Sequence, residues 1–179
     1  MMFDKLSFGR AAILALAPLV SVAACSPNAP AAETPAATSA PVEAEQSNIH
    51  PVSGLEVIDL VVVSGEDRHE FRVEVAASPE AQRKGLMYRT AMGPDEGMIF
   101  PSYQEEARSF WMKNTPMSLD IIFIGTDGRI TNIAANTEPY SLESVPSAGL
   151  TSGVLELVAG RSAELGIEPG DQVIYELPE

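Results

Sequence analysis

Residues 119–135 read LDIIFIGTDGRITNIAA. Two β-rich runs flank Thr126-Asp127-Gly128-Arg129, and Asp-Gly between such runs marks a tight hairpin, because the favoured two-residue turn needs positive φ at its centre. A second hairpin is expected upstream. Leu55 to Val63 (LEVIDLVVV) reads as a buried strand and SGEDR as a polar turn. His69 to Ala77 (HEFRVEVAA) then alternates, so that Phe71, Val73 and Val75 share one face. Ser78-Pro79 starts a short helix, with Ser as its cap, Pro in the first position and Glu80 in the first turn. Gly85 can close that helix, and Arg83 and Lys84 in its last turn suit the helix dipole. Short apolar runs follow at Met98 to Phe100 and Ser109 to Met112. Beyond the central hairpin comes a long Pro-, Ser- and Glu-bearing loop, Asn136 to Thr151. GVLELVAG is then a strand, RSAEL a helical turn closed by Gly166, and DQVIYEL a last strand. About seven short strands and two short helices predict a β-rich α+β fold, built as a small closed or nearly closed β-barrel. Neither an internal repeat nor a second domain is visible.

The N-terminus reads differently. Lys5 and Arg10 precede the uncharged run AAILALAPLVSVAA, which is shorter than the ~20 residues a bilayer span needs and has the layout of a secretory signal. Val22-Ala23-Ala24-Cys25 resembles the lipobox of bacterial lipoproteins. That resemblance implies cleavage before Cys25 and acylation of both its sulfur and its amine, and two or more acyl chains anchor stably. With Ser26 rather than Asp after the Cys, the expected address is the outer membrane, facing the periplasm. A plain signal peptide with an accidental Cys is the alternative. Cys25 is the single Cys of the chain, so the mature fold has no thiol for disulfides, metal ligation or nucleophilic chemistry. SPNAPAAETPAATSAPVEAEQSN is too poor in apolar side chains to fold and reads as an extended spacer. The expected organisation is a signal peptide over 1–24, an acylated Cys and tether over 25–50, and one folded domain over 51–179. From Pro51 onward Asp and Glu outnumber Lys and Arg 21 to 9. Such a balance repels nucleic acid and anionic headgroups, so no nucleic-acid partner is expected.

GLMYR (85–89), GMIF (97–100), FWMKNTPMSLDIIFI (110–124), DGRI (127–130), VLELVAG (154–160) and GD (170–171) stand in an order that resembles the family called domain of unknown function 192. The resemblance runs from about Val57 to Tyr175, and its FWMKNT-P-LD string is highly specific. It implies a small single β-rich domain, often secreted or membrane-tethered, and brings no biochemical activity with it. Met117 stands where an aliphatic residue is more usual.

The string Phe110 to Asp120 also concentrates the chemistry. Trp111 suits either a buried barrel position, the commoner use, or a stacking surface for a sugar. Phe110 and Met112 alternate with it, so one set faces inward and the other outward. Pro116 forces Thr115 out of the helical region, and Asn114 suits a turn, whereas no turn needs Lys113. Asp120 stands inside the apolar run SLDIIFI, where a carboxylate is costly unless paired. Its expected partners are Arg83, Arg89 or Lys113, in a structural ion pair first and a site second. Arg83, Arg89, Trp111, Lys113 and Asp120 are therefore the candidate ligand-binding set, lining a positive pocket for a carboxylate, uronate or phosphate.

Other chemistries find less in the chain. Met87, Met92, Met98, Met112 and Met117 offer soft sulfur for Cu(I), but without a repeated spacing, and Met is a common core filler. Glycine-rich phosphate loops, HExxH helices and Ser-His-Asp arrangements are missing from the string's neighbourhood. The reading is a lipid-anchored envelope module that binds a small anionic or carbohydrate-like group, or an envelope protein carrying one, with no cofactor. An envelope hydrolase using Asp120 and Lys113 is the alternative, and a Met-based copper carrier the third.

Overall fold

The computed structural model describes residues 48–178; the signal segment, Cys25 and nearly all of the tether lie outside the described residues. Strands β1 (Val57–Ser64) and β2 (Asp67–Val75) form the first antiparallel hairpin, with Ser64 opposite Asp67. Helix α1 (Pro79–Lys84) then leads to β3 (Glu96–Phe110), which runs parallel to β2. β4 (Leu119–Gly125) and β5 (Ile130–Ala134) make the hairpin over Asp127-Gly128, where Gly128 takes φ +75°. β6 (Val145–Val158), the single turn α2 (Arg161–Glu164) and β7 (Gln172–Tyr175) complete the chain. The seven strands form one sheet in the order β5-β4-β6-β3-β2-β1-β7.

The sheet curls into a half-barrel that is open rather than closed. Its edges touch at one corner, through an isolated Arg129–Gln172 bridge and bonds from Ile130 N to Asp171 O (2.9 Å) and from Val173 N to Gly128 O (2.9 Å). Closure needs a continuous ladder between the two edge strands, and β5 and β7 meet only at that corner.

Alternation along the central strands divides the apolar side chains between two clusters. Ile122 and Ile124 of β4 join Leu60, Val62, Phe71 and Val73 on the concave side. Leu119, Ile121 and Phe123 face the other way, with Met98, Phe100, Leu86 and Met112. β4 is thus buried on both faces, which is why it reads as an unbroken apolar run. The second cluster is roofed by α1, the Gly85–Met87 turn and the segment after β3.

Three boundaries differ from the sequence expectation. β3 joins two runs that read as separate, with register shifts between Pro101 and Glu106 and between Ala107 and Ser109. β6 begins at Val145, inside the expected loop, because its first half pairs with the outer half of β3 (Phe110 opposite Val145, Glu106 opposite Thr151). Most of those residues are exposed and are extended by pairing with each other, with only Phe110 and Val145 packed on the second cluster. The fold also starts before Pro51: His50 N donates to Leu55 O (2.8 Å) and Val57 N to Asn48 O (2.6 Å), backbone bonds that composition does not announce.

Candidate functional site

α1 forms where its caps predict. Ser78 Oγ accepts the Ala81 N–H (3.1 Å), Pro79 opens the helix, and Gly85 ends it at φ +49°. A Cβ on Gly85 would stand 3.3 Å from the Phe100 ring, so glycine also lets the turn lie close on the second cluster. The next residues latch onto the FWMKNT segment. Tyr88 N donates to Asn114 O (2.8 Å), and Asn114 Nδ2 donates to the Tyr88 phenol oxygen (3.0 Å). On its other side the segment is held by Met112 N to Ser141 O (2.9 Å) and Tyr140 N to Thr115 O (3.1 Å). Tyr88, Asn114 and Tyr140 all have positive φ (66°, 56° and 62°), a costly conformation for a tyrosine. Three such residues bonded around one segment mark a conformation that the surrounding structure enforces.

Between α1 and this segment lies a cleft of about 380 Å³, within the size range of small-ligand pockets. Arg83 and Lys84 line it from α1, Arg108 and Phe110 from β3, and Trp111 and Lys113 from the segment itself. Trp111 is not a buried barrel residue. Phe110 and Met112 take the apolar side, which leaves the Trp111 ring 51% exposed with the Lys113 ammonium 5.2 Å from its centre. Arg108 is fixed more firmly. The register breaks in β3 bend the strand enough for its Nη1 to donate back to Phe100 O (3.1 Å), while Nη2 donates to Gln82 Oε1 (3.1 Å). Its guanidinium also sits 5.1 Å from the centre of the Phe110 ring. Burial lowers the Arg108 pKa, and the charges of Glu106 and Glu156 oppose that shift.

Glu156 forms part of the lining as well. It lies in β6 opposite Met98 of β3 and Ile121 of β4, on the face of the second apolar cluster. It is 4% exposed, and its carboxyl makes no hydrogen bond to another described residue. Burial pushes its pKa up to about 8, with Arg108 drawing it the other way. Burial thus favours its protonated form, a hydrogen-bond donor beside the Arg108 guanidinium. A strongly shifted group in a cleft is a physical mark of a functional site.

The remaining two candidates do not join this cleft. Asp120 is fully buried and pairs with no cation among the described residues, contrary to expectation. Its Oδ1 accepts from the backbone N–H groups of Asn136 (2.9 Å) and Gly160 (3.0 Å), and its Oδ2 from that of Ser162 (2.9 Å). Peptide donors satisfy it in place of a guanidinium. Arg89 is drawn instead to buried Glu74, with Nη2 and Nη1 2.8 and 3.2 Å from its two carboxylate oxygens. His50 completes that cluster, its Nε2 3.3 Å from Arg89 Nη2. Arg83, Trp111 and Lys113 are thus brought together; Arg89 and Asp120 hold the frame.

The cleft is assembled from the GLMYR, FWMKNT and VLELVAG strings, and residues 61–175 match the domain of unknown function 192, described as "Uncharacterized ACR". The chain belongs to the DUF192 family. No curated protein matches it. A protein of unknown function from Novosphingobium aromaticivorans DSM 12444 has a similar solved structure, at 49% identity and a TM-score of 0.69, covering 70% of this chain and 90% of that one. A Sinorhizobium meliloti 1021 protein described as a "putative transcription regulator" is similar at 36% identity and a TM-score of 0.66, over 68% of this chain and 95% of that one.

Two residues of the DUF192 cleft, Arg108 and Glu156, lie outside the candidate set read from the sequence. Arg108 ends the polar run QEEAR and looks solvated. Glu156 interrupts VLELV with the same signature that singled out Asp120, a carboxylate within an apolar strand. That signal was available.

Proposed function

We propose that this DUF192 protein is a lipid-anchored periplasmic binding module, and that its cleft takes the anionic group of a small, carbohydrate-like ligand or of an envelope partner carrying one. Charge placement supports this reading. Four of the nine basic residues from Pro51 onward, Arg83, Lys84, Arg108 and Lys113, line one cleft of a chain whose net charge is −14. Guanidinium and ammonium groups gathered against an acidic background favour a carboxylate or phosphate. The exposed Trp111 ring adds an apolar platform suited to a sugar face. The hydrolase alternative with Asp120 and Lys113 gains nothing, since Asp120 is enclosed by backbone donors away from the lining. A copper carrier is no better served, because Met98 and Met112 are buried in the second cluster. Direct nucleic-acid binding is opposed by the chain's net negative charge.

Calorimetric titration of the purified protein with glucuronate and with inorganic phosphate tests the cleft. Arg83→Ala combined with Lys113→Ala should weaken binding of both by at least about tenfold, the scale of one lost charged hydrogen bond. Trp111→Ala should weaken glucuronate alone. Equal affinities in wild type and the double variant would sink the reading. For the anchor, the support is the Val22–Cys25 string and the spacer behind it. Cys25→Ser should move the protein from the membrane fraction to the soluble fraction, and retention at the membrane would count against acylation there.

A further inference from the structure

The cations of the cleft account for the ligand's charge but leave Glu156 without a task. A carboxyl between Met98 and Ile121, 4% exposed and bonded to no described residue, is expensive to keep. It is also part of the cavity lining, so a ligand entering the cleft can reach it. The groups around it constrain what that ligand offers. Met98 and Ile121, its cross-strand neighbours, are apolar; the charged groups facing the cleft are Arg83 and Lys84 from α1, Arg108 from β3 and Lys113 from the following segment, with Glu106 beside Arg108. Every charged neighbour in the lining is a donor, and a protonated Glu156 is a donor too. A lining whose charged groups are all donors complements an acceptor.

Resting on the reading of the cleft as an anion site, we propose that Glu156 is its ligand-contacting acid: the neutral carboxyl donates a hydrogen bond to the carboxylate of a small organic acid whose charge is balanced by Arg108 and Lys113. The two carboxyl groups share one proton, so ionisation of Glu156 sets two negative charges together and expels the ligand. Binding is then strong where Glu156 stays protonated and weakens as pH rises beyond the point where it ionises.

The probe is glucuronate, whose carboxylate keeps its charge across the range, titrated into the purified protein from pH 6 to pH 9.5. Wild type should lose about tenfold in affinity per pH unit once Glu156 ionises, as one linked proton requires. Glu156→Gln keeps a neutral donor and all four cations, so it should bind at pH 6 within a few-fold of wild type and show no such fall. Glu156→Ala should bind weakly at every pH. Inorganic phosphate as competitor separates ligand sources: weaker displacement of glucuronate than by equimolar acetate supports a carboxylate site, and stronger displacement by phosphate overturns that choice. Wild type and Glu156→Gln sharing one pH profile overturns the role of Glu156 while the anion site stands. Failure of wild type to bind glucuronate at any pH overturns both.

Discussion

Replacing Asp120 by Ala should cost about 3–5 kcal/mol of stability, the expected effect of deleting a buried carboxylate that accepts from three backbone donors. The carboxylate is fully buried, and it gathers backbone N–H groups from Asn136, Gly160 and Ser162. These belong to the loop after β5 and to the start of α2, so one side chain ties the first residues of β4 to two distant segments. Ala removes both acceptor oxygens and leaves the peptide groups facing an apolar gap. Asn keeps one oxygen and turns an amide towards a donor, and its loss should be smaller. The urea midpoint at pH 7 reads both. An Ala variant within about 1 kcal/mol of wild type would show that the three donors find other acceptors, against the geometry.

Glu156→Leu should do the opposite and raise stability. The folded protein holds this carboxyl at a pKa of about 8 against an ordinary 4.5. Below the ordinary value both folded and unfolded chains carry the proton, and the group has no effect on the balance. Between the two values the unfolded chain releases a proton that the folded chain retains. Stability falls there as pH rises, by about 1.4 kcal/mol per pH unit. Above about pH 8 both states are ionised and the loss is complete. Leu removes the whole dependence, so its advantage over wild type should grow by on the order of 4 kcal/mol from pH 4 to pH 8. Unfolding curves of both proteins at pH 4, 6 and 8 decide this, and a constant difference would mean that Glu156 is hydrated in the folded state. A residue that destabilises its own fold while lining a cleft is what a trade of stability for function leaves behind.

The pair Asp120 and Glu156 shows how far the sequence reached. Each is a carboxylate in an apolar strand, and local pattern treats them alike. Their difference lies in partners 16, 40 and 42 residues away from Asp120 and in the lack of any hydrogen-bonding partner among the described residues for Glu156. Arg83 and Arg89 part in the same way. They flank one turn, but Glu74 on β2 captures Arg89, and only Arg83 is left to the cleft.

Local chemistry was sufficient for the elements whose causes are local. The Asp127-Gly128 turn, the Ser78-Pro79 helix start, the Phe71-Val73-Val75 face and the alternation around Trp111 all rest on φ preferences, caps and period-two burial among near neighbours. The family strings added the domain and its β-rich class. Long-range pairing decided the rest. The outer halves of β3 and β6 are strands because each supplies the other's hydrogen bonds, and the barrel stays open because β5 and β7 meet only at one corner. The cleft exists because Tyr88 and Asn114 latch two loops over the second cluster, and Glu156 becomes an acid of unusual pKa only when three elements bury it. Burial and charge pairing are properties of the assembled sheet, and no window of sequence contains them.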